Sequence, residues 1–249
     1  MPTDYNDGRY AEHYRDAKRS QAWRSQVETY SFLKLIGDVR GKKVLDVACG
    51  EGHFTRILCR AGASKVVGID IADSMIELAR EQEAREPLGI EYRVEDARST
   101  AAHQHFDLVT SAWLLCYARD RADLARMCRG VASRLESGGR FVTVTMNPAL
   151  RSFRPQPDYR KYGIEFKLAD HVIDGGLIEA TVHLDGLSFA AENYSFSTSA
   201  YESELDAAGF RDLAVHMPES APHVGAGEDG YWDDFLNYPF FVLMDCVKA

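Results

Sequence analysis

The apolar and polar positions of this chain change their spacing several times, and each change predicts an element. The run KKVLDVA at 42–48 is short and nearly continuously apolar, as a buried strand is, and it ends in a glycine-rich turn. Segments 65–69, 90–94, 106–111 and 140–146 read as four more strands. Helical spacing lies between them at 53–61, at 73–85 with Asp73 or Ser74 as N-cap, and at 121–135, which Gly138 and Gly139 stop. A helix over 24–36, with Val27, Phe32, Leu33 and Ile36 on one face, precedes the first strand, and an amphipathic, tyrosine-rich segment at 1–22 precedes that helix. Strand–helix alternation of this kind predicts an α/β fold, a doubly wound and mostly parallel sheet covered on both faces.

After Pro148 the pattern changes. Residues 150–170 are polar and aromatic, and two β-rich runs, 177–184 and 187–197, flank Asp185–Gly186, a strong hairpin turn. Ser199 then caps a helix at 200–208 with Glu202 at its third position, Gly209 ends it, and 213–217 and 240–247 read as the last strands. No linker is visible. The chain divides as one domain into a helical lead region (1–40), a core (41–148), and an insertion with the closing strands (149–249).

Composition narrows the function. Of 249 residues, 45% are hydrophobic, and the net charge of −9 repels phosphate backbones. The basic residues Arg15, Lys18, Arg19 and Arg24 alternate with Glu12, Asp16 and Glu28, which reads as the wet face of a helix rather than a nucleic-acid patch. Five cysteines without a CxxC spacing indicate neither a disulfide framework nor a metal site. The polar N-terminus MPTDYNDGRY and the lack of a long apolar run predict a cytoplasmic protein with no membrane partner. His183 and His216 stand isolated and read as surface or core histidines.

The informative stretch is 44–54, VLDVACGEGHF. Ala48, Gly50 and Gly52 form a turn in which backbone can approach a ligand closely. A glycine pair alone also fits nicotinamide binding, but the third glycine of that fingerprint is replaced by Thr55. Asp46 sits inside the apolar strand, where a carboxylate is costly unless it meets a donor or cation. A ligand with a protonated amine and no phosphate explains both features. Asp70 ends the second strand, placed to accept two hydroxyl protons of a ribose, and Ile71 and Met75 offer apolar surface to a flat ring. Glu95, Asp96 and Ala97 end the third strand. Ser111, Ala112 and Trp113 leave the fourth at the carboxyl edge, where open α/β sheets bind ligands.

These segments (44–54, 66–75, 94–98, 106–117 and 138–146) resemble, in order and spacing, the class I S-adenosylmethionine-dependent methyltransferases. The phrases LIGDVRGKKVLDVACG, KVVGIDIADSMIELARE, SAWLLCYA, AYESELDAAGF and GYWDDFLNY are similar to those of the N-methyltransferases of toxoflavin biosynthesis. The resemblance implies a Rossmann-like, seven-stranded sheet with an antiparallel last strand and a small β-rich insertion after the fifth strand. It implies S-adenosylmethionine as cofactor, S-adenosylhomocysteine as product, and a small-molecule acceptor such as a nitrogen heterocycle. By the same likeness Asp46 and the glycine turn hold the methionine part, Asp70 the ribose and Asp96 the adenine, while Arg24 pairs with the carboxylate. Tyr10 and Tyr14 lie on a lid and, with Trp113, carry the catalytic positioning; Tyr14 also touches cofactor, and Trp113, Tyr117, Asn147 and Tyr162 touch the acceptor. Ser-Ala-Trp stands where nucleic-acid and protein methyltransferases carry Asn/Asp-Pro-Pro-aromatic, and the chain is expected as a monomer or homodimer. A rival use of the same fold is cleavage or cyclisation of S-adenosylmethionine itself, releasing methylthioadenosine.

Overall fold

The computed structural model describes residues 21–101, 104–168, 174–184, 187–222 and 231–249. Tyr10, Tyr14 and the turn Asp185–Gly186 lie outside the described residues. The main sheet contains β1 (Lys43–Val47), β2 (Lys65–Asp70), β3 (Glu91–Val94), β4 (Phe106–Ala112), β5 (Leu135–Met146), β9 (Phe210–His216) and β10 (Phe241–Lys248). Its order is β3-β2-β1-β4-β5-β10-β9. The first five strands run parallel, and β10 pairs antiparallel with both β5 and β9. Chain order reverses between β1 and β4, which makes the crevice at their carboxyl ends the switch point of the sheet.

Alternation along the strands sends side chains to two cores. Val44, Leu108 and Val142 join a cluster with Trp23, Val27 and Phe32, on a helix whose π-wound turn Arg24–Thr29 runs into α1 (Tyr30–Ile36). Leu45 and Val109 join the opposite cluster, with Leu124, Cys128 and Val131 of α4 (Arg121–Ser133) and Tyr201 and Leu205 of α5 (Thr198–Ala207). Between these come α2 (His53–Arg60) and α3 (Asp73–Arg85), clamped together where buried Arg56 meets Glu83 at 2.7 Å and Glu86 at 3.1 Å. A second, antiparallel sheet of β6 (Ile164–Leu168), β7 (Gly176–Leu184) and β8 (Leu187–Ser195) buries Ile164, Ile178, Ala180 and Val182 against the first core. The β7–β8 ladder runs from Gly176↔Ser195 to Leu184↔Leu187.

Three local expectations are corrected, and one strand is new. Helix α4 ends at Ser133 and Leu135 already begins β5, so Gly138 and Gly139 do not cap a helix. They occupy a bulge in which pairing jumps from Phe106↔Leu135 to Leu108↔Arg140, and Gly138 supplies the φ of +78°. The N-cap of α3 is Ala72, without a side-chain cap; its own N–H is held by Asp70. Ser197, not Ser199, caps α5, accepting from the Ala200 N–H at 3.2 Å. Strand β6 went unpredicted because IEFKL carries charges on its solvent face inside an already polar stretch.

Candidate functional site

A cavity of about 530 Å³ opens at the carboxyl ends of β1 to β4. From β1 it receives Ala48 and Gly50, from β2 Asp70 with Ile71 and Met75, from β3 Glu95, Asp96 and Ala97, and from β4 Ala112, Trp113 and, beyond, Tyr117. Ala48 has φ +56° and Trp113 φ +71°, so non-glycine residues leave two neighbouring strands in the left-handed region. For a ring as large as indole that is an outlier, and such strain gathers at functional sites.

Asp70 is the hinge of the wall. One of its oxygens accepts the Gly50 N–H and the other the Ala72 N–H, each at 2.9 Å, so a single carboxylate fixes both the turn after β1 and the start of α3. Ile71 beside it is 59% exposed, an apolar side chain left at the cavity in want of a cover. The third wall is braced from behind. Buried Arg134 donates to Glu95 at 2.6 Å and to the carbonyls of Ala97 and Ser99 at 3.3 and 2.6 Å. Gly130 lets α4 approach so closely that a Cβ there would lie 1.8 Å from the Ala97 carbonyl oxygen. Asp96 accepts from the backbone N–H and the guanidinium of Arg98, with a 2.6 Å ion pair, and those hydrogen bonds hold its carboxyl below the ordinary range.

Other expected site residues stand elsewhere. Asp46 is 2% exposed beneath the turn, where it accepts the hydroxyls of Thr55 at 2.7 Å and Thr110 at 3.1 Å. Its carboxylate therefore meets protein donors instead of facing the cavity, and Thr55 replaces a glycine to supply one of them. Gly52 is needed for packing, since a Cβ would fall 2.4 Å from the Tyr92 hydroxyl. The Ser111 hydroxyl pairs with Thr143 at 2.8 Å in the sheet interior. Asn147 braces a loop, donating to the Pro239 carbonyl and accepting from the Ala149 N–H. Tyr162 stacks on Trp232 at 5.4 Å and donates to the Tyr231 carbonyl, inside the core.

Arg24 lies away from this cavity, 4.3 Å over the Trp23 ring, donating to Gln21 and pairing with Glu28 at 3.3 Å. Glu28 is not on a wet face. It is 3% exposed and accepts the indole N–H of Trp113. Sequence reading missed Glu28, Arg98, Gly130 and Arg134, and also Glu192 and Tyr194 of β8, which reach the same cavity. Nothing local to Glu28 marks it as buried, because the indole that it serves lies 85 residues away in the chain. Burial raises the Cys116 thiol and pushes Cys128 up to about 12, so neither is a thiolate at neutral pH. Among the described residues no group of His, Cys, Asp and Glu is arranged to hold a metal ion, and no helix is long and apolar enough to cross a membrane.

Chemically, the cavity presents carboxylates at two strand ends, apolar plates beside them and aromatic rings at the rim. Residues 44–139 match the family model described as a methyltransferase domain. A ubiquinone biosynthesis O-methyltransferase of Neisseria meningitidis is 38% identical over 117 residues, covering 45% of this chain and 48% of that protein. The chain thus spans about half the length of the curated relatives it matches. Its fold is similar to that of an S-adenosylmethionine-dependent methyltransferase from Mesorhizobium loti, with TM-score 0.63, 21% identity, and 92% and 99% of the two chains covered. The corresponding figures for one from Clostridium acetobutylicum are 0.65, 15%, 96% and 99%. The chain therefore has the fold of the S-adenosylmethionine-dependent methyltransferases, and its residues 44–139 are similar to the methyltransferase-domain family.

Proposed function

We propose that this protein binds S-adenosylmethionine in the 530 Å³ cavity and passes its methyl group to a small molecule. One observation carries the reading: Asp70, whose carboxylate holds the turns on both sides of it, stands at the end of β2 in the cavity wall, where a carboxylate can accept from ribose hydroxyls. The residues suit such a nucleoside. Exposed Ile71 would be covered by an adenine face, and the loop 95–97, held rigid by Arg134, would take its edge. For Asp96 to accept the exocyclic amine, it would share its carboxylate with Arg98.

S-adenosylmethionine supplies a methyl group on a sulfonium, already activated for displacement. The chain's own work is then positioning and the exclusion of water, which can contribute on the order of 7–11 kcal/mol. Trp113 and Tyr117 stand at the rim for that purpose, with Tyr10 and Tyr14 of the lead segment as further candidates. The relative from Neisseria, an O-methyltransferase by name, supports a small acceptor. The phrases similar to toxoflavin N-methyltransferases favour a nitrogen heterocycle. Incubation with S-adenosylmethionine and a panel of heterocycles, followed by mass spectrometry, tests the reading. S-adenosylhomocysteine with a product 14 mass units heavier supports it, whereas methylthioadenosine formed without acceptor contradicts it.

A further inference from the structure

Six carboxylates stand in the lining of the large cavity among the described residues, and five of them belong to the wall built on β2, β3 and α4. Asp70 holds two turns, and Asp120 accepts the Asp123 N–H at 2.7 Å as the cap of α4. Glu95, Asp96 and Asp123 pair with Arg134, Arg98 and Arg126 at 2.6, 2.6 and 2.9 Å. A carboxylate bonded to a guanidinium is a weak proton acceptor, because the pairing favours its charged form. The sixth, Glu192, is carried by β8 and comes from the insertion.

Along β8 the side chains alternate. Ala191, Asn193 and Ser195 are buried, and Glu192 and Tyr194 between them reach the cavity. Asn193 donates to the Cys116 sulfur at 3.5 Å, which fastens β8 to the single helical turn Leu115–Tyr117 just beyond Trp113. The chain neighbours of that fastening, Glu192 and Tyr117, both line the cavity. Glutamate is a poor strand residue, and β7 sets Glu179 directly opposite Glu192, a like-charge pairing that weakens a ladder. Lys167 of β6 offsets the Glu179 charge at 2.6 Å. Residues that break a local rule in this way gather at functional sites.

No histidine, lysine or cysteine lines this cavity among the described residues, so proton transfer there falls to a carboxylate or a phenol. We propose that Glu192 is a catalytic residue: it accepts the hydrogen bond of a ring N–H on the methyl acceptor and takes that proton as the methyl group arrives. The carbon–sulfur bond of the sulfonium breaks with its electron pair left on sulfur, and a lone pair of the ring nitrogen forms the new carbon–nitrogen bond. The N–H electrons return to the ring as the proton moves to the carboxylate. A neutral ring thus leaves as a neutral methylated ring, beside S-adenosylhomocysteine and a protonated Glu192 that gives its proton to solvent. The inference rests on the function proposed above, because it needs the methyl donor in the same cavity.

Benzimidazole and xanthine, flat rings with a ring N–H, serve as acceptors, and release of S-adenosylhomocysteine gives kcat and KM. Glu192→Gln keeps the size and an accepting oxygen but not the basicity. It should lower kcat at least about 100-fold, the lower end of what a general base contributes, with KM within about threefold. Glu192→Ala should be as slow, and added formate should raise its kcat at least about tenfold where chloride at the same ionic strength does not. Glu179→Gln, across the ladder, should stay within about twofold of the parent, and every variant should bind S-adenosylhomocysteine within about threefold of it. A kcat in Glu192→Gln within about threefold of the parent, or a Glu192→Ala variant that formate does not revive, overturns the inference. So does a loss of S-adenosylhomocysteine affinity in both Glu192 variants, which would place the side chain on the nucleoside instead. A parent protein that binds S-adenosylhomocysteine but methylates neither ring also overturns it. If S-adenosylhomocysteine itself fails to bind, the reading beneath it fails instead.

Discussion

The indole N–H of Trp113, at the end of β4, donates to the carboxylate of Glu28 in the π-wound turn of the first helix. Trp113 also gives its backbone N–H to Val144 at 2.9 Å. These two bonds hold a large side chain at φ +71°, where a residue with a Cβ gives up about 1–2 kcal/mol. The helix ahead of the sheet is thereby fastened to the rim of the cavity.

Glu28→Ala should therefore be costly, because it strands both the Arg24 charge and the Trp113 indole in a buried place. Removing one partner of a buried pair costs about 3–5 kcal/mol, and urea unfolding followed by tryptophan fluorescence measures it. Glu28→Gln keeps an acceptor for the indole and should lose less than half as much. An alanine variant within about 1 kcal/mol of the parent would show that the bond carries little.

Gly130→Ala should damage the third wall. Its methyl would enter the space of the Ala97 carbonyl, so either α4 or the loop 95–98 must move. Overpacking of this kind costs about 1–3 kcal/mol or more. The expected result is a lower unfolding midpoint together with weaker S-adenosylhomocysteine binding. A midpoint loss with unchanged affinity would place the displacement wholly on the helix side.

Asp96 gives a pH dependence with a definite sign. Arg98 holds its carboxyl below the unfolded value of about 4, so the stability it contributes is present above that pH and is lost as pH falls through the lowered folded value. Urea midpoints should accordingly be insensitive to this pair between pH 6 and 8. Below about pH 4 the unmodified protein should lose stability more steeply than Asp96→Asn, which has no charge to neutralise. Parallel acid profiles would mean the ion pair is of no consequence.

How far the sequence speaks can be seen at particular residues. Ala48, Gly50, Asp70, Glu95, Asp96, Ala97 and Trp113 were each readable because a parallel strand, its end and the following turn are consecutive in the chain. Where strands lie side by side, local pattern suffices to bring their ends together. Glu28 was not readable as buried, since its partner Trp113 is 85 residues away and an acidic side chain on a helix is ordinarily wet. Asp46 looked like a ligand group because its two donors, Thr55 and Thr110, come from a helix and from a neighbouring strand. Ser197 and Ser199 offer equivalent local capping chemistry, and it is Ser197 that accepts the Ala200 N–H.

The whole account turns on a nucleoside berth built around Asp70. Isothermal calorimetry with S-adenosylhomocysteine on the parent protein and on Asp70→Asn tests it most directly. Charge-assisted hydrogen bonds contribute about 1.5–3 kcal/mol, so the variant should bind roughly 10- to 100-fold more weakly while remaining folded. A folded parent protein that gives no heat, or two proteins with the same affinity, would contradict it.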